Sequence, residues 1–206
     1  MSLLNRIKVM FKSTSDEQII GYSIVELKSI FGAFLSEADF PKYHYPSFSF
    51  LTSVGVQAYY SNFVIDRDDV NEFLGLLDKS FSLAGERKFN DLSVELYSGK
   101  HGDEKLILCI SYKEFNVATI RLITNSIDFL SLIGERKFSV PPPWVAFEGY
   151  DPSWWGGDMQ GAQGYYNDNY FFSFFSSLSL EAREGYYKRY LATDAWARSL
   201  ELTLSL

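Results

Sequence analysis

Apolar and polar positions alternate in three consecutive runs between residues 92 and 123. Leu92, Val94 and Leu96 alternate with Ser93, Glu95 and Tyr97; Leu106, Leu108, Ile110 and Tyr112 share one face of residues 105–113; residues 117–123 form the third run. Short polar stretches, 98–103 and 114–116, separate them, and strands joined this closely pair as an antiparallel meander. Upstream, Phe50, Thr52, Val54, Val56 and Ala58 predict a strand over 48–59, and residues 63–65 a short apolar one.

A helical period governs the flanks. Leu3, Leu4, Ile7 and Phe11 suggest a short helix over 3–11. Ser15 and Gln18 have capping-box spacing, and Ile20, Ile24, Leu27, Phe31 and Phe34 follow at helical intervals, which predicts a helix over 16–38. Asp66 opens another, with Val70, Phe73, Leu74, Leu77 and Phe81 facing inward and Gly85 as its stop. A helix over 125–133 ends at Gly134, a further one covers about 167–177, and Ser179 caps a last one carrying Tyr186, Tyr187, Tyr190, Leu191 and Trp196. Residues 200–206 alternate again and read as a strand. The pattern as a whole is α+β: an antiparallel sheet with packed helices over residues 1–139, and an aromatic-rich helical region over 140–206 packed on it.

One echo stands out. The pentapeptide Gly-Glu-Arg-Lys-Phe occurs at 85–89 and again at 134–138, each time after strands and a helical run. It fits a duplication of a strands-then-helix unit, or two unrelated helix ends stopped by Gly. The doubled arrangement resembles the Whirly fold in outline, a likeness of topology that carries no function.

Residues 138–182 change the picture. They contain no Lys or Arg, but hold Glu148, Asp151, Asp158, Asp168 and Glu181, with Trp144, Trp154 and Trp155 among them. Pro141–Pro143 stiffens the entry. Trp144, Phe147, Phe171 and Phe174 are expected in the core. Trp154, Trp155, Tyr165 and Tyr166, spaced by Gly and Asp, are expected at the surface. The segments Pro-Pro-Pro-Trp-Val-Ala-Phe and Trp-Gly-Gly-Asp-Met-Gln-Gly, followed by a tyrosine-rich helix, resemble C-terminal segments of uncharacterised bacterial proteins over residues 141–190.

Composition narrows the chemistry. A net charge of −7 opposes general affinity for nucleic acid, which depends on Lys and Arg neutralising phosphates, and for anionic membranes. It suits a basic partner. No run is long enough for a membrane span, and no secretory leader is legible at the start. Cys109 is the only cysteine, so an internal disulfide is impossible, a cysteine zinc site is excluded, and the cytoplasm is the expected compartment. His44 lies in a loop between two tyrosines and His101 in a turn, neither in a nucleophile frame. The acidic run 66–69 lacks the calcium-loop pattern and reads as a helix cap. Glu148, Asp151 and Asp158 beside Trp154 and Trp155 resemble a sugar cleft with paired carboxylates, and ring stacking on bases is a second use.

The favoured reading is a protein surface. Trp144, Glu148, Asp151, Trp154, Trp155, Asp158, Tyr165, Tyr166 and Asp168 would contact a basic protein, with Trp and Tyr as anchors. No cofactor, metal or catalytic residue is expected. Its acidity, small size and lack of catalytic motifs are similar in general character to those of bacterial toxin-immunity proteins, which implies neutralisation of a cationic toxin by covering its basic site. A nucleic-acid-binding module and a carbohydrate-active protein are the alternatives.

Overall fold

Strand Tyr59–Ile65 sends alternate side chains into different apolar environments, and the architecture follows from this. Tyr59, Phe63 and Ile65 enter one core cluster, Val64 enters a second, and Tyr60 packs on a third. The sheet is therefore covered on both faces. The computed structural model describes residues 18–32, 43–156 and 159–205.

The described chain begins with a two-stranded hairpin, β1 (Gln18–Ile19) and β2 (Tyr22–Ser23), then helix α1 (Ile24–Ile30). Strands β3 (Ser49–Phe50) and β4 (Tyr59–Ile65), helix α2 (Val70–Ser80), and strands β5 (Phe81–Phe89), β6 (Leu92–Gly99), β7 (Lys105–Ser111) and β8 (Ala118–Thr124) follow. Helix α3 (Ile127–Arg136) leads to the C-terminal region. That region comprises α4 (Pro143–Ala146), α5 (Gly161–Tyr166), a π-helical turn Asn167–Phe171, α6 (Phe172–Ser176), α7 (Leu180–Arg189) and α8 (Asp194–Leu204).

The six-stranded sheet is antiparallel throughout, in the order β3-β4-β8-β7-β6-β5. The expected meander is its β6-β7-β8 portion. On one face α2 and α3 lay Val70, Phe73 and Leu77, and Phe129, Leu130 and Ile133, over Leu106, Leu108, Ile120 and Leu122. On the other face, one end is covered by the hairpin and α1 through Ile19, Tyr22, Leu27 and Phe31. The C-terminal helices cover the other end, around Val64 and Val117.

Several elements differ from the sequence pattern. Residues 16–38 are not one helix, because Gln18 and Ile19 pair with Ser23 and Tyr22 across a turn at Ile20 and Gly21. Both turn residues have positive φ, +50° and +73°, as a tight hairpin requires. A Cβ on Gly21 would lie only 2.7 Å from that of Phe89. The capping box belongs to Ser23 and Glu26: Ser23 Oγ accepts from the Glu26 amide, and the Glu26 carboxylate accepts from the Ser23 amide at 2.8 Å. Ser15, the helix expected over 3–11 and residues 33–38 lie outside the described residues.

Within 48–59 only Ser49–Phe50 and Tyr59, the first residue of β4, are in strands. Leu51–Val54 is a 3-10 turn ended by Gly55, and the apolar alternation there arises because Leu51, Val56 and Ala58 are buried in the α1 cluster. Gly85 is not a helix stop. Helix α2 ends at Ser80, and Phe81 starts a strand whose register shifts between Leu83 and Gly85. Gly134 lies inside α3, which ends at Lys137 in the left-handed conformation. The repeated pentapeptide is thus β-strand in one copy and helix end in the other, so its two copies do not occupy equivalent places. The strand expected over 200–206 is helix as far as Leu204, and Leu206 lies outside the described residues: Thr193 caps α8, which buries Trp196 and Leu200 one turn apart.

The region after residue 139 is tied to the sheet by polar contacts as well as packing. Asn62 Nδ2 donates to Tyr170 Oη at 2.9 Å, and Arg189 reaches Asp69 at 3.0 Å. Tyr190 Oη donates to Asp66 at 2.7 Å.

Candidate functional site

The Lys- and Arg-free stretch folds as an aromatic layer with an acidic outer surface. Its inner side is organised by the π turn. Inserting one residue into a helix brings positions five apart into line. Tyr166 accordingly stacks over Phe171, with ring planes 18° apart, and Phe171 stacks over Phe175 in the α-helical turn that follows. Phe115, from the turn before β8, meets Tyr166 edge-on at 4.9 Å.

Two residues expected in the docking surface, Trp155 and Tyr166, are internal, and a third, Trp144, is half-buried. Trp155 is buried among Phe147, Tyr150, Phe171 and Trp196. Tyr166 is fully buried and donates to the Pro141 carbonyl at 2.7 Å; its burial raises its phenol pKa well above the usual value. Trp144 is half-buried, donates from Nε1 to the Tyr190 carbonyl at 2.9 Å and tilts against Trp196. Spacing by Gly and Asp was a poor guide to exposure here, because the loop packs against α8, where Ser199 Oγ donates to the Pro152 carbonyl at 2.7 Å and Trp155 meets Trp196. Of the expected core residues, Phe171 and Phe174 are buried and Phe147 is half-buried.

The remaining candidates face outward. Trp154 is 67% exposed and Tyr165 42%. Glu148, Asp151 and Asp168 are exposed, and Phe172 is a further exposed ring on the same helical segment as Tyr165. Asp151 caps the turn Pro152–Trp154, accepting from the Ser153 hydroxyl at 2.6 Å and its amide at 2.8 Å. These bonds, the hydroxyl's first, hold its carboxyl below the usual range. Trp154 stands edge-on to Tyr150, so the indole is braced from below with its other side open. Asp158 lies outside the described residues.

Two features escaped the pattern of the sequence. The first is a polar row on the sheet face between the two covering layers. Register aligns Asn62, Arg121 and Cys109 across β4, β8 and β7. Arg121 Nη2 grips both oxygens of Glu114, at 2.5 and 2.6 Å. Burial pushes the Tyr60 phenol up to about 12, although Arg121 opposes it, and the Cys109 thiol is also raised by burial. Asn62 Oδ1 and Thr119 Oγ1 are buried without a hydrogen-bond partner among the described residues. This row could have been suspected from one sign only, a lone Arg inside an apolar strand.

The second feature is a cleft of about 550 Å³ between the Tyr43–Tyr45 segment, the end of α3 and α7. Its walls include Tyr45, Phe174, Leu178 and Tyr186, and its polar lining includes His44, Lys137, Ser177 and Arg189. His101 is exposed in the β6-β7 turn. Among the described residues, no group of three or more His, Cys, Asp or Glu is placed to hold a metal ion, and no helix is long and apolar enough to cross a membrane. No protein-family model matches the chain, and no curated protein or solved structure matches it.

Proposed function

We propose that this chain is a non-catalytic protein-binding protein whose partner is basic. Its most concrete form is a bacterial cytoplasmic immunity protein that covers the cationic active site of a toxin, such as a nuclease. One observation carries the reading: Trp154 is 67% exposed on the same loop as the exposed carboxylates Glu148 and Asp151, in a stretch that contains no Lys or Arg. A braced indole offers large rigid area at small entropy cost, the property that makes Trp a frequent interface anchor. The carboxylates give the surface a single sign, which attracts a basic face and repels an acidic one. Tyr165, Asp168 and Phe172, exposed on the adjoining helix, extend the same mix of ring and acid.

The mechanism is occlusion. A toxin that binds nucleic acid presents Lys and Arg to phosphate, and a surface of carboxylates around an aromatic anchor competes for those groups. The test is capture from native lysate by the tagged chain at low and high salt, followed by affinity measurement with the protein identified. A basic partner bound one to one, weakened by salt and at least tenfold by Trp154→Ala or by Asp151→Lys with Asp168→Lys, supports the proposal. Equal binding by these variants, or a partner released by nuclease treatment, overturns it.

A further inference from the structure

We propose that the cleft beside α7 binds a small organic anion: a monocarboxylate carried on an aromatic or aliphatic body. The charge of its lining is the first ground. The chain carries 26 acidic against 19 basic side chains, yet among the described residues the cleft is lined by Lys137, Arg189 and His44 and by no Asp or Glu. Arg189 is held from behind by Asp66 and Asp69, which fixes its position and takes up its charge. Lys137 is exposed, forms no ion pair among the described residues, and follows the end of α3 with a left-handed backbone. Ser179, the N-cap of α7, lines the same wall, so the positive end of that helix dipole adds to the field.

The apolar walls are the second ground. Tyr45, Phe174, Leu178 and Tyr186 give a ligand body something to bury against, which a bare inorganic anion does not need. A volume of about 550 Å³ lies within the ordinary size of small-ligand sites, roughly 300–1,000 Å³.

Gly185 is the third ground. It sits inside α7 and lines the cleft. Glycine in a helix interior is unfavourable relative to alanine, so packing usually explains it. Here a Cβ would meet nothing within 4 Å. Among the described residues nothing demands the missing side chain, whereas a ligand in the cleft would. The cleft lining shares no residue with the Trp154 loop, so its test stands apart from that of the Trp154 surface.

The test is an NMR titration of the 15N-labelled chain with 4-phenylbutyrate, its neutral amide 4-phenylbutanamide, and inorganic phosphate. Saturable shifts at the amides of Ser177, Ser179 and Gly185 are expected with the carboxylate. The neutral amide should bind about tenfold more weakly, as expected for losing a hydrogen bond to a charged group, and phosphate should not saturate. Lys137→Asn, which suits the left-handed backbone and removes the charge, should weaken the carboxylate about tenfold and leave the amide unchanged. Gly185→Leu should abolish both while the rest of the spectrum is retained. A carboxylate that shifts none of these amides, binds no tighter than its amide, or ignores Lys137→Asn overturns the assignment.

Discussion

Tyr166 Oη donates to the carbonyl of Pro141 across 2.7 Å, joining the polyproline entry of the C-terminal region to the last residue of α5. A second phenol does the same one residue earlier, where Tyr186 of α7 donates to the Val140 carbonyl at 2.6 Å. Proline and its neighbours supply carbonyls that no regular ladder satisfies. Two buried tyrosines from two helices supply donors, and the aromatic layer is positioned by them. Tyr166→Phe should keep the ring packing and lose the bond, at a cost of about 1–3 kcal/mol because a buried acceptor loses its donor. Urea unfolding checks this. A loss under about 0.3 kcal/mol would mean that the carbonyl has another partner.

The adjacent tryptophans should separate stability from binding. Trp155 is buried and touches four other aromatic rings, so Trp155→Ala should cost about 3–5 kcal/mol. Trp154, mostly exposed, should change stability by no more than about 0.5 kcal/mol on truncation. Its effect should appear in partner affinity instead, at about 2 kcal/mol or more if it is the anchor. Thermal and chemical unfolding of both variants, with affinity measured on Trp154→Ala, decides the matter. The reverse order of stabilities would show that the loop does not pack as described.

How much of this was legible beforehand depended on burial. The meander read correctly because alternation and short turns are local signals; α2 was found because Val70, Phe73 and Leu77 lie at helical spacing on one buried face, but its end was misplaced, since Phe81 is buried from a strand and continues the apolar pattern past Ser80. The hairpin at Ile20–Gly21 was misread because its apolar residues, with those of α1, mimic one long helical stripe. Covering both sheet faces also hid the polar row: Arg121 lies in a strand otherwise buried along its length, and only register places it beside Asn62 and Cys109. In the aromatic stretch, composition identified the acidic surface. It could not separate Trp154 from Trp155, because adjacent residues with the same side chain differ only in which way the chain turns. The cleft joins residues more than a hundred positions apart, His44 and Gly185 among them, and no local pattern announces that.

Two helical glycines should respond to alanine with opposite sign. Gly185→Ala meets open space and should stabilise by about 0.5–1 kcal/mol through helix propensity and reduced freedom of the unfolded chain. Gly134 is buried in α3, and a Cβ there would lie 2.5 Å from the Tyr43 ring. Gly134→Ala should therefore destabilise by about 1–3 kcal/mol, the usual cost of overpacking, despite the same gain in propensity. Denaturant midpoints of the two variants give the signs directly. Stabilisation by both would show that Tyr43 does not cover Gly134 in solution.

Alkaline pH should unfold the chain cooperatively. Burial pushes the Tyr60 phenol up to about 12, and burial likewise raises Tyr45, Tyr166, Tyr170 and Tyr186 above the usual tyrosine value of about 10. In the unfolded chain the same phenols lose their protons near pH 10. The folded state then binds more protons than the unfolded state, so its stability is fully present below about pH 10 and falls as pH rises toward the folded values. Each such phenol contributes a slope of about 1.4 kcal/mol per pH unit over that window. Absorbance at 295 nm should climb in two steps. Surface phenols ionise first with the circular dichroism intact, and the buried ones ionise together with its loss. Tyr60→Phe should reduce the steepness of the second step, since one raised phenol no longer contributes between about pH 10 and 12. A single smooth rise, completed while the dichroism is unchanged, would show that water reaches these hydroxyls in the folded protein and that the aromatic layer is open.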